Sequence, residues 1–205
     1  SRYHSDKEII DIVYRDGFSK ISIYSFIKNN IFKAKYDIPN IEKINVKYKS
    51  PWHVVLQVYE KPIIGYARYL NEYYYFDEDL YILEKKSEKE NKYMEISGIN
   101  MSRNNIHTYL YIDNKNAPYI IKAVSRYKKD IGMQIENINF AKSNEIVIEG
   151  EGLYVNIGNG DNIEEKMSLL IDIYPKIEGL NGSLDLSKVK TRYDKGEYIF
   201  KKAIK

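Results

Sequence analysis

The sequence predicts an α+β protein. A small unit ordered helix, helix, strand, strand is followed by a larger antiparallel sheet with flanking helices. Three observations carry this reading. Helical and strand periodicities occupy separate blocks along the chain. The strands after residue 62 are short and joined by tight turns, which favours antiparallel pairing. Pro62 stands between the two blocks and divides the chain into units at residues 1–61 and 62–205.

The elements follow in order. Ser5-Asp6-Lys7-Glu8 is a capping box, with Ile9, Ile10 and Val13 behind it and Asp16-Gly17 as a stop. Ser22 caps a second helix carrying Ile23, Phe26, Ile27 and Ile31. The period then changes to two: Ile44, Val46 and Tyr48, then Trp52, Val54, Leu56 and Val58, make a hairpin turning at Lys49-Ser50-Pro51. In the second block, Ile63–Tyr69, Tyr73–Phe76 and Leu80–Glu84 read as three strands. A short apolar segment Tyr93–Ile99 and a strand-like run Tyr109–Ile112 follow. Ile120, Val124, Tyr127 and Ile131 form a helical stripe behind Asn116. Strands are expected at Ile135–Phe140, Glu145–Glu149 and Leu153–Ile157. A capping box of Asp161 and Glu164 opens a helix bearing Ile163, Met167, Leu170, Ile171 and Tyr174 and ending at Pro175. Strands at Ser183–Leu186 and Glu197–Ala203 close the chain.

Composition excludes several functions. With no cysteine there are no disulfides, thiolate metal sites or thiol catalysis. A net charge of +3 argues against a nucleic-acid-binding domain. No apolar run exceeds four residues, against about 20 for a membrane span. Hydrophobic residues at 43% are enough for a core.

Two constellations invite a chemical reading. Gly158-Asn159-Gly160 before a helix has the look of a phosphate cradle. No Lys-Ser/Thr follows it, so a strand-to-helix turn is the better reading. Asp77-Glu78-Asp79 fits no calcium-loop spacing and reads as a solvated turn. No hydrolase, metalloprotease or nucleotide-binding motif occurs, so no catalytic residue, metal or cofactor is expected. The 21 tyrosines are informative where they cluster. Tyr73–Phe76 is read as core packing, whereas Tyr193, Tyr198 and Phe200 near the chain end are candidates for receiving a partner strand.

The phrases "IPNIEKINVKYKSPWHVVLQVYEKPIIGY" (Ile38–Tyr66), "YYYFDEDLYIL" (Tyr73–Leu83), "YVNIGNGDNIEEKMSLLIDIYP" (Tyr154–Pro175) and "GSLDLS" (Gly182–Ser187) carry a resemblance. In this order they resemble the bacterial cell-division family FtsQ/DivIB, over nearly the whole chain. The resemblance implies a POTRA domain at 1–61, its first strand truncated, and a β domain at 62–205. It implies no catalysis. The expected partners are the bitopic division proteins FtsL and FtsB/DivIC, which control the septal peptidoglycan synthases. It also implies a parent with one N-terminal transmembrane helix, so that this sequence would be an extracytoplasmic piece at the division septum.

In that family the partner adds a strand to the β domain's C-terminal edge. The matching positions are Arg192-Tyr193-Asp194-Lys195-Gly196 and Glu197–Lys202. The expected partner-binding residues are Arg192, Tyr193, Gly196, Tyr198, Phe200, Lys201 and Lys202. The aromatics would anchor, Gly196 would admit a close backbone approach or a bulge, and Lys201 and Lys202 would steer acidic groups. Two rival readings are a POTRA-based polypeptide-binding or transport module of the cell envelope, and an enzyme acting on cell wall.

Overall fold

A computed structural model describes residues 1–15, 38, 40–50, 53–101, 105–140, 145–193 and 198–203. The chain divides into two compact units, Ser1–Pro62 and Ile63–Lys205.

In the first unit, helix α1 (Asp6–Val13) opens on the capping box read from the sequence. The Glu8 amide donates to the Ser5 hydroxyl at 3.3 Å, and the Ser5 amide donates to the Glu8 carboxylate at 2.8 Å. Two N–H groups that the helix cannot satisfy are thereby paired. Ile9 and Val13, one turn apart, are buried, while Ile10 lies off that line and is exposed. The second helix expected from Ser22 to Ile31 lies outside the described residues, as do Asp16-Gly17 and Pro51-Trp52. Strands β1 (Ile41–Ser50) and β2 (His53–Glu60) form the predicted antiparallel hairpin. Its register shifts between Ile41 and Lys43, so Ile41 and Ile44, three residues apart, reach the same core as Ile9 and Val13. Tyr48, expected beside Val46 on the buried face, is exposed near the turn end of the hairpin.

The described residues of the second unit form nine strands. They are β3 (Gly65–Tyr69), β4 (Glu72–Phe76), β5 (Ile82–Lys86), β6 (Met94–Ser97), β7 (Asn137–Asn139), β8 (Val147–Gly150), β9 (Leu153–Asn156), β10 (Gly182–Asp185) and β11 (Ile199–Lys202). They form one sheet in the order β11-β10-β9-β8-β7-β6-β3-β4-β5. The protein is α+β as predicted, but the antiparallel sheet is corrected to a mixed one. The pairs β3–β6, β6–β7 and β9–β10 are parallel. For β6–β7 and β9–β10 the reason is connectivity. Helix α2 (Ala117–Ile131) lies between β6 and β7, and helix α3 (Ile163–Ile177) lies between β9 and β10. Each helix carries the chain back along the sheet, so the next strand enters in the same direction.

Both helices pack on one face. Ile120, Ile121 and Val124 of α2, with Met167, Leu170 and Tyr174 of α3, share a core with Ile96, Ile138, Ile148, Val155 and Leu184 of the strands. Three local expectations are corrected. The Asp161–Glu164 capping box does not form: α3 starts behind Asn162, which is left-handed at φ 54. Asp161 accepts from the Asn159 amide group and Glu164 from Arg126 on α2. Pro175 sits inside α3, which runs on to Ile177 because only the last turn loses a donor while Ile173, Tyr174 and Ile177 stay buried. Tyr109–Ile112 is not a strand. It makes one bridge, Tyr81 to Tyr109, although its alternation is visible in buried Leu110 between exposed Tyr109 and Tyr111.

The other face of the sheet is polar. One row of residues crosses all nine strands: Glu84, Tyr75, Tyr66, Glu95, Asn137, Glu149, Tyr154, Ser183 and Lys201. Neighbours in it bond to one another, Tyr66 to Glu95 at 3.0 Å and Asn137 to Glu149 at 3.2 Å. Near β5 the row is roofed by the loop after that strand. The Tyr75 hydroxyl donates to the Glu88 carbonyl and receives the Glu90 amide at 2.8 Å. Glu90 in turn holds the ammonium groups of Lys86 and Lys92.

Hydrogen bonds from Lys86 and then Lys92 push the Glu90 carboxyl down to about 2 from its ordinary 4.5. A depressed carboxyl contributes stability that is present above its unfolded pKa and is lost as pH falls through the folded one. Between pH 4.5 and 2, Glu90→Gln should therefore give a shallower fall of stability with pH than the wild type. Urea titrations at several pH values measure this, and identical slopes would deny Glu90 the role.

Candidate functional site

An open sheet has two edge strands, and each must do something with its outward N–H and C=O groups. At one end, β5 is covered by its own chain. The Ile82 amide donates to the Thr108 carbonyl, the His107 amide to Ile82, and the Leu110 amide to Leu80, at 2.8–2.9 Å. Its exposed half carries ion pairs, Lys85 with Glu72 and Lys86 with Glu84. At the other end, β11 has no strand beyond it among the described residues.

The pairing of β11 with β10 fixes which of its groups point outward. The Ala203 amide donates to the Asn181 carbonyl at 2.9 Å, so positions 203 and 181 form a hydrogen-bonded pair. Antiparallel ladders alternate. Lys201 and Ile199, opposite Ser183 and Asp185, thus also turn their main chain toward β10. The main-chain groups of Phe200 and Lys202 face away from the sheet.

β11 can lie this close because Gly182 has no side chain. A Cβ there would stand 2.4 Å from the Lys201 carbonyl and 3.0 Å from the Phe200 ring. The side chains of β11 divide by parity. Phe200 shares the helix side with buried Leu184, and both Phe200 and Tyr198 pack against the unit's own core while remaining half-exposed. Ile199 is 57% exposed on the polar face, and Tyr193 is 83% exposed. Lys201 and Lys202 are exposed, and neither makes an ion pair among the described residues. Gly196 lies outside the described residues.

Arg192 is not a free cation. Its guanidinium grips Asp172 of α3 through two hydrogen bonds of 3.0 Å, and its amide donates to Glu165 at 2.9 Å. The hydrogen bonds from Arg192 hold the Asp172 carboxyl below the usual carboxylate range. One turn along α3 from Asn162, buried Lys166 donates to the carbonyls of Ile157 and Ser187 at 2.8 and 3.4 Å. Burial lowers its pKa. Glu165, Lys166 and Asp172 thus strap residues 187–192 onto α3 ahead of β11.

The two sites set aside on the sequence are also accounted for. In the Gly158-Asn159-Gly160 turn the amides of Gly158, Gly160 and Asp161 are spent on Asn156, Ile157 and Asn159. Asp77 accepts the amides of Asp79 and Tyr81, and Asp79 pairs with Lys122. Sequence reasoning missed Ile199 and Tyr154 as exposed apolar surface beside the edge. Two-residue alternation from Phe200 would have placed Ile199 on the open face.

With the edge described, relatives can be compared. Over 160 residues the chain is 24% identical to "Cell division protein DivIB" of Clostridium tetani (strain Massachusetts / E88), covering 77% of this chain and 59% of that protein. The chain is similar to DivIB. A protein of the same name from Clostridium botulinum (strain Hall / ATCC 3502 / NCTC 13319 / Type A) is 24% identical over 150 residues, covering 68% of this chain and 56% of its own length. The chain therefore spans less than three fifths of either DivIB. No protein-family model matches it. Among the described residues no helix is long and apolar enough to cross a membrane.

Gly182→Val is expected to push β11 from β10, an overpacking cost of about 1–3 kcal/mol confined to that edge. In hydrogen exchange the amides of Ile199 and Lys201 should lose protection while those of β8 keep theirs. Unchanged protection at Ile199 and Lys201 would mean that Gly182 does not set the β10–β11 spacing.

Proposed function

We propose that this chain is a non-catalytic scaffold of the cell-division machinery that captures an extended partner segment on β11. In this reading residues 1–61 are a POTRA domain and residues 62–205 are the β domain that carries the binding edge. The partners are FtsL and FtsB/DivIC-type bitopic proteins, and through them the complex regulates septal peptidoglycan synthesis. The parent protein is anchored in the membrane, with this part on the extracytoplasmic side.

The observation that carries the reading is the asymmetry of the two edges. The chain covers β5 with residues 107–110, whereas among the described residues nothing pairs with the outward main chain of Phe200 and Lys202. An added strand satisfies those groups with little demand on sequence, and neighbouring side chains supply selectivity. Similarity to DivIB supports a role in division.

Exposure supports some of the candidate residues more than others. Tyr193, Ile199 and the outer parts of Tyr198 and Phe200 are surface a partner can cover. Arg192 serves to hold the strap, since Asp172 already occupies it. Truncating a central apolar anchor typically costs about 2 kcal/mol or more, roughly 30-fold in affinity. Calorimetric titration with the extracytoplasmic domain of the DivIC-type partner should show such a loss for Tyr193→Ala, Ile199→Asp and Phe200→Lys. Wild-type affinity in all three would reject β11 as the site.

A further inference from the structure

The charge of the chain is carried unevenly. The first unit has 11 Lys and Arg against 7 Asp and Glu, whereas the second has 21 against 22. Part of the basic excess lies on the hairpin of the first unit. From Lys43 to Tyr59 the sequence holds three lysines and no acid. Lys43 lies over the Tyr59 ring at 4.6 Å, toward the open end, where Glu60 accepts from Ser1 and Arg2. Lys47 and Lys49, toward the turn, are exposed and make no ion pair among the described residues. Apolar side chains are exposed beside them. Val55, opposite Lys47, is 48% exposed, and Tyr48, opposite Val54, is 43% exposed. Successive residues of a strand point to opposite faces, so Val55 and Tyr48 lie on different sides of the hairpin. The Ser50 hydroxyl and the His53 ring meet at 3.2 Å across the turn. On the helix side, Asp6 of α1 lines a groove with Val54 and Leu56, while Lys47 stands with Val55 on the other side.

We infer that the turn end of the β1–β2 hairpin docks on an anionic phospholipid bilayer, with Lys47 and Lys49 among the headgroups and Val55 and Tyr48 reaching the acyl boundary. Three features select this occupant. The first is charge complementarity. A lysine near an anionic bilayer strengthens attachment by about fivefold, and its long stem can lie on apolar matter while the ammonium reaches a phosphate. The second is the type of residue exposed. Tyrosine favours the headgroup level, where the ring meets hydrocarbon and the hydroxyl stays in polar surroundings. The third is geometry. A protein laid on one face of the hairpin covers Val55 or Tyr48 but not both, whereas a bilayer that receives the tip covers both at once. Lysines on a short sheet also deter pairing with another strand, but that use gains nothing from an exposed Val and Tyr beside them. The inference stands apart from the reading of β11. The membrane anchor proposed above would keep a bilayer within reach.

The test mixes the whole chain with vesicles at low ionic strength and separates bound from free by sedimentation. Phosphatidylglycerol vesicles should retain the chain and phosphatidylcholine vesicles should not, and retention should fall as salt is added. Lys47→Gln and Lys49→Gln should each lower the partition constant about fivefold, and the pair together roughly 25-fold. Val55→Gln should lower it about threefold and leave the salt dependence as it was. Lys128→Gln with Lys129→Gln, in the second unit, controls for overall charge and should leave retention near that of the wild type. Unchanged thermal midpoints serve as the control for folding. Trp52, the single tryptophan of the chain and the residue before His53, supplies a second readout. Brominated phosphatidylglycerol should quench its fluorescence. Equal retention on both lipids, equal losses from the two lysine pairs, or retention without quenching of Trp52 overturns the inference. So does a wild-type chain that stays in solution with phosphatidylglycerol vesicles, or one that holds heparin but not these vesicles, which would point to a soluble polyanion. None of these outcomes bears on strand addition at β11.

Discussion

The main-chain hydrogen bonding of a sheet that does not close on itself must end twice, and each end leaves polar groups facing outward. In the second unit the two ends are treated differently. Residues 107–110 lie along β5 and take up groups of Leu80 and Ile82, and ion pairs of Lys85 and Lys86 discourage another strand there. β11 receives neither a covering segment nor a charge pair among the described residues. The open edge follows from how the rest of the sheet is spent.

The two helices produce this arrangement. A helix between β6 and β7, and another between β9 and β10, each return the chain to the same end of the sheet and make those pairs parallel. Both helices settle on one face, where their apolar stripes meet Ile96, Ile138, Ile148 and Val155. The other face keeps a hydrogen-bonded polar row. After β10 the chain crosses α3, held by Glu165, Lys166 and Asp172, and returns as β11 beside β10. Four residues of pairing, with Gly182 permitting the approach, define the final edge.

Much of this was legible locally. The Ser5–Glu8 box, the hairpin of Ile44 and Val58, and the α2 stripe of Ile120, Val124 and Ile131 depend on neighbours in sequence, so periodicity and capping chemistry find them. A local signal loses where tertiary context overrides it. Asp161 with Glu164 has capping-box spacing, but Asn159 and Arg126 claimed both carboxylates. Pro175 is a helix stop in isolation, yet the buried side chains of Ile173 and Ile177 extend α3 past it. The candidate residues divided in the same way. Tyr198 and Phe200 were legible as aromatic, and Arg192 as basic, but their engagement with the core and with Asp172 was not.

Local spacings in the chain set the class of the protein, the positions of nearly all its described strands and helices, and the segment near the chain end that carries the candidate site. These depend on spacings of a few residues, which set the faces of helices and strands. Tertiary contacts were needed to make the sheet mixed, to cover β5 while β11 has no strand beyond it among the described residues, and to put the side chains of Ile199 and Lys201 on the polar face. Strand order, edge exposure and ion-pair choice depend on which distant segments meet, and 24% identity to DivIB does not specify those meetings residue by residue. Physically, side-chain period fixes what a strand can bury, whereas its neighbours fix what it must leave open.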